Sequence, residues 1–79
     1  MNKEEKEHKH FLEQQLAWCK KQDRILEEIE MKLYEMKKIA QYVLDYELTT
    51  IEIKQLNGHL IELQSEVNFL EKQLHTVVH

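Results

Sequence analysis

Proline is absent and glycine occurs once, at Gly58, in a chain of 79 residues. Average usage would place about nine or ten of these two residues in that length. Sheet proteins turn often and lean on both residues to do so, so a turn-rich β fold is excluded and a helical one favoured. Cysteine also occurs once, at Cys19, which rules out a disulfide within the chain. No run of about 18 apolar residues is present, so no segment reads as a membrane span. The opening MNKEEKEHKH is charged and lacks the apolar stretch of a secretory signal. A single thiol without an export signal sets the expectation of a cytoplasmic protein.

Charge of one sign is also missing where a nucleic-acid binder would need it. Residues 1–39 carry nine basic and nine acidic side chains, and residues 40–79 carry two basic and six acidic ones, which yields the net charge of -4. A DNA-binding face shows as a basic stripe. The basic clusters here, Lys20, Lys21 and Arg24, then Lys37 and Lys38, are each flanked by acids. An accessory role in DNA transactions through weak contact by these residues is an alternative, and a disfavoured one.

The residues that chemistry requires are sparse. Ser65 is the sole serine, with no His or Asp placed to activate it, and one glycine cannot build a phosphate loop. His8 and His10 point to different faces of a helix. His75 and His79 have the spacing to share an ion, but no further ligands complete the three or four that zinc needs. The expectation is a non-enzymatic protein with no metal and no cofactor.

What the sequence does contain is a heptad pattern. From residue 11 onward Leu12, Cys19, Leu26, Leu33 and Ala40 fall at position a, and Gln15, Gln22, Ile29, Met36 and Val43 at d. Position g adds Phe11, Trp18, Ile25, Ile39 and Tyr46. A stripe of that width is broader than the seam of a two-stranded coil and faces two neighbouring helices. The charged face opposite, with i,i+4 pairs such as Glu28–Lys32, completes a long helix over about 4–46.

The second half is periodic in a shifted phase. Ile53, Leu60, Val67 and Leu74 take a, and Leu56, Leu63, Leu70 and Val77 take d, whereas the first frame would put Glu47 and Lys54 at a. A coiled coil absorbs insertions of three or four residues far better than a loss of one. Thr49 with Glu52 also fits the S/T-x-x-E box that starts a helix. These features predict a turn near 48 and a second helix over about 50–77. One continuous helix in a coiled coil, and a turn at Asn57–Gly58, are the competing readings. A parallel zipper through the second half would meet Glu66 with Glu71, which repels, so packing on the first helix is preferred.

The chain thus reads as a single all-α domain over 1–79, a two-helix antiparallel hairpin dimerising into a helical bundle. A hairpin places residue 50 beside 47 and leaves residues 1–19 overhanging. That overhang carries Phe11, Leu12, Leu16, Trp18 and Cys19, an apolar group that marks an association surface. Cys19 reads as a small core residue or as a contact with its own copy. Gln15 and Gln22 read as register-setting polar residues or as wet positions. Met31, Tyr34 and Tyr42 form a second patch on the outer face of the first helix. The expected function is a self-associating adaptor, regulator or inhibitor of another protein, with a structural oligomerisation scaffold as a further alternative.

Overall fold

The computed structural model describes residues 2–75, of which 93% are helical. Helix α1 spans Lys3–Asp45 and helix α2 spans Thr50–His75. The expected second helix runs on to 77, and residues 76–79, with the second histidine of the His75–His79 spacing, lie outside the described residues.

Each helix starts on a side-chain cap. The Asn2 Oδ1 atom accepts the Glu5 backbone N–H at 2.8 Å, and Glu4 and Glu5 occupy the first turn of α1, where acids complement the positive end of the helix dipole. At α2 the expected box is reciprocal. Thr49 Oγ1 accepts the Glu52 N–H at 3.2 Å, while Glu52 Oε1 accepts from the Thr49 hydroxyl at 3.0 Å and from its N–H at 3.4 Å. Such a cap stabilises a helix start by about 1 kcal/mol. Between the helices, Tyr46 turns extended at φ −126° and ψ 146° while its N–H still bonds to the Tyr42 carbonyl. The four-residue connection 46–49 needs no residue with positive φ, which is how a hairpin forms in a chain with one glycine.

Both competing topologies are thereby set aside. The single-helix reading fails at residues 46–49. The Asn57–Gly58 turn fails because both residues sit inside α2, and a Cβ built on Gly58 would meet nothing within 4 Å. The heptad register runs through this dipeptide, and continuity of the seam outweighs the roughly 1 kcal/mol that a helical glycine costs.

The molecule measures 70 × 19 × 13 Å. A continuous 79-residue helix would reach about 118 Å at 1.5 Å per residue, and α1 alone about 65 Å, so α1 sets the length of the molecule. Ile25 and Ile29 of α1 pack with Val67 and Leu70 of α2, flanked by the partly buried Met36 and Leu74, and Leu63 is also buried. Helix two therefore uses its a and d positions against α1. Helix one does not bury its whole stripe. Its covered positions are d and g: Gln22, Ile25 and Ile29 are buried, and Lys32, Met36 and Ile39 half-buried. Position a stays exposed, with Leu26 at 46% and Leu33 at 49%, and with Cys19 and Ala40 exposed as well. The reading of Cys19 as core of this chain is corrected: its a position lies to one side of the seam, and one neighbour covers only part of a three-position stripe.

Candidate protein-interaction surface

Four facts of helix geometry assemble the surface. First, α1 is 43 residues long and α2 is 26, so an antiparallel pair joined at one end must leave one end of α1 bare. The pairing of Lys32 with Glu66 and of Ile25 with the Val67–Leu70 region carries α2 back to about the level of Gln22. Phe11, Leu12 and Leu16 lie beyond it and are each more than half exposed. Trp18, grouped with them by sequence, differs: it is half-buried, because at g, one turn before Gln22, it sits at the end of the covered seam.

Second, the bare a stripe of α1 continues from this overhang along the hairpin, through Cys19, Leu26 and Leu33 to Ala40. Third, it ends in an apolar groove near the connection, lined by Ala40, Val43 and Leu44 of α1 and Ile53, Leu56 and Leu60 of α2. Leu44 is 80% exposed, and Tyr46 and Ile51 beside it are exposed too. Sequence reasoning missed this tip cluster because the heptad slip and the Thr49–Glu52 box mark this stretch as a turn and say nothing of the apolar surface that Leu44, Tyr46 and Ile51 create there. The signal that could have found it is Leu44, an apolar residue at e just where the frame breaks.

Fourth, the outer-face patch divides. Met31 and Tyr34 line one shallow groove with Glu28, Lys32, Glu35 and Lys38, and the Lys38 ammonium stands 4.9 Å from the centre of the Tyr34 ring. Tyr42 belongs elsewhere. Its ring lies 4.7 Å from that of Tyr46, in a groove it shares with Ile39 of α1 and Glu52, Gln55 and Leu56 of α2. The structure does not bring the three residues of this patch to one point.

Two polar features stand out along the seam among the described residues. Lys32 donates to Glu66 Oε2 at 2.6 Å across the helices. This hydrogen bond, opposed by partial desolvation and aided by the charges of Glu66, Glu28 and Glu35, holds the Lys32 ammonium above its ordinary pKa of 10.5. Both residues occupy g, and antiparallel helices bring g to g, so the pair was legible once the antiparallel rule replaced the parallel one. The other place is Gln22, 8% exposed, whose Nε2 has no hydrogen-bond partner. Gln15, one heptad earlier, is exposed. Of the two readings of these glutamines, the buried polar one applies to Gln22 and the wet one to Gln15.

Among the described residues no three His, Cys, Asp or Glu side chains gather where they could hold a metal ion, and no helix is long and apolar enough to cross a membrane. The basic residues Lys20, Lys21, Arg24, Lys37 and Lys38 are all exposed along α1. No protein-family model, curated protein or solved structure matches the chain.

Proposed function

We propose that this protein is a non-enzymatic interaction module, a helical hairpin that pairs with a second copy and serves as an adaptor or regulator of another protein. The observation that carries the reading is the uncovered apolar stripe from Leu12 to Ala40. Area supports it. The chain exposes 7014 Å², whereas a compact monomer of 9.7 kDa would expose about 5,100 Å². The excess is more than the roughly 800 Å² that each partner gives to a standard stable interface. The exposed Cys19 suits a reducing, cytoplasmic setting, where a surface thiol stays free. A purely structural scaffold would use the same stripe and no other partner.

Light scattering on the purified chain tests the self-association. A mass twice 9.7 kDa at micromolar concentration is expected, and a monomer across the micromolar range overturns it. The adaptor role is tested by affinity capture with the wild type and a Phe11→Ala, Trp18→Ala variant. The wild type should retain a specific protein that the variant loses. Capture of the same proteins by both would move the surface away from the overhang, and a dimer that captures nothing would leave the scaffold reading.

A further inference from the structure

The helix lengths, the heptad spacing and the charge distribution together select a direction and a register for that second copy. We infer that two hairpins pair antiparallel across the a stripes of α1, with Leu26 on the two-fold axis, so that the overhang of each copy lies in the tip groove of the other. The inference rests on the self-association proposed above and adds its geometry.

Register comes first. The five a residues stand at 12, 19, 26, 33 and 40, a set symmetric about 26. Running two such helices in opposite directions about Leu26 sets Leu12 opposite Ala40, Cys19 opposite Leu33, and Leu26 opposite its own counterpart. Every a residue then faces an a residue of the other copy, and at the outermost layer a large side chain meets a small one, as interdigitated packing prefers. Shifting the pair by a heptad sets Leu12 opposite Glu47 or Ala40 opposite Glu5, so an apolar a residue of each copy then faces a charged one.

Cover comes next. In this register residues 7–20 of one copy run beside residues 32–45 of the other, a shared helical length of about 21 Å. The exposed Leu12 of the overhang is thereby brought to the groove of Ala40, Val43, Leu44, Ile53 and Leu60, and Leu16 to the level of Met36. The two apolar surfaces that the monomer leaves open at its opposite ends cover each other.

Charge fixes the direction. A parallel pair would set the acidic second halves, net -4 each for residues 40–79, side by side. It would also align the α1 dipoles and place Asp45 and Glu47 against their own counterparts. The last turn of α1 holds no basic residue to relieve that clustering. The antiparallel pair instead separates the two acidic tips, setting each beside the start of the other α1, where Lys3, Lys6 and Lys9 balance Glu4, Glu5 and Glu7, and it opposes the two dipoles.

Disulfide capture decides between the geometries, because the chain has one natural cysteine. Two full-length proteins are compared under oxidised glutathione: the wild type, and a Cys19→Ser, Leu26→Cys variant. Leu26 is exposed in the hairpin, and circular dichroism and light scattering check that the variant keeps its helix content and mass. The expected result is a cross-linked dimer for Leu26→Cys and none for the wild type, since Cys19 faces Leu33. A wild-type cross-link through Cys19, with or without one at Leu26→Cys, overturns this register while leaving the self-association standing. A dimer by mass that cross-links at neither position also overturns it. A monomer by mass overturns the pairing and the self-association together.

Discussion

Gln22 is the side chain at which the hairpin departs furthest from the ordinary satisfaction of buried polar groups. It is 8% exposed, its Nε2 is unpartnered, and it sits one turn from Ile25 in the seam. A buried donor left without a partner costs about 1–3 kcal/mol, and an apolar replacement of similar shape removes that cost. Gln22→Leu is therefore expected to stabilise the protein by about 1 kcal/mol in urea unfolding followed by circular dichroism; a destabilised variant would show that the amide is satisfied in solution. Lys32 supplies a pH-dependent counterpart. Its folded pKa lies above the ordinary 10.5, so its contribution is complete below the unfolded value and is lost as pH rises through the folded one. The stability difference between wild type and Lys32→Met should be constant from about pH 8 to 10 and shrink above that. A difference that stays level to about pH 11.5 would remove the ion pair as its source.

At the scale of the element, Gly58 is the clearest opportunity. It lies within α2, adopts no positive φ, and has open space where a Cβ would stand. Gly58→Ala should raise stability by about 0.8–1 kcal/mol, measured by the shift in urea midpoint at unchanged slope; a lower midpoint would mean that another molecule approaches this backbone closely. Much of the element structure was legible beforehand. The expected helices over 4–46 and 50–77 compare with Lys3–Asp45 and Thr50–His75, because the one-residue slip in the heptad frame and the Thr49–Glu52 box both mark the same point. The division of labour within the α1 stripe was not legible. Positions a, d and g are all apolar, and periodicity gives the width of a stripe without saying which edge its own chain covers. The Asn2 cap escaped for a different reason: its partner is a backbone N–H, and nothing in the heptad pattern points to it. Of the association residues, Phe11, Leu12, Leu16 and Cys19 are exposed in the hairpin, while Trp18 is drawn partly into the seam.

For the whole molecule, the proposed pairing ties stability to association. Among the described residues five apolar side chains are buried, Ile25, Ile29, Leu63, Val67 and Leu70, and none of them is less than 2% exposed. A core this thin in a chain this small ordinarily needs reinforcement. The melting temperature should therefore rise with protein concentration, by mass action on the paired state. Leu33→Glu, which alters an exposed residue and no buried one, should abolish that rise; a melting temperature independent of concentration in the wild type would show that the hairpin stands alone. The unequal helices, 43 residues against 26, have a last consequence for how assembly stops. Two stepped pieces laid in opposite directions make a block with flush ends, and growth halts at two. Laid in the same direction, or slipped by a heptad, they keep a step at each end that a third copy could fill, and such contacts repeat into fibres when no rotation closes them. In the proposed pairing the step would act as a counting device: the direction of the first contact would set whether copies stop at a pair or go on adding.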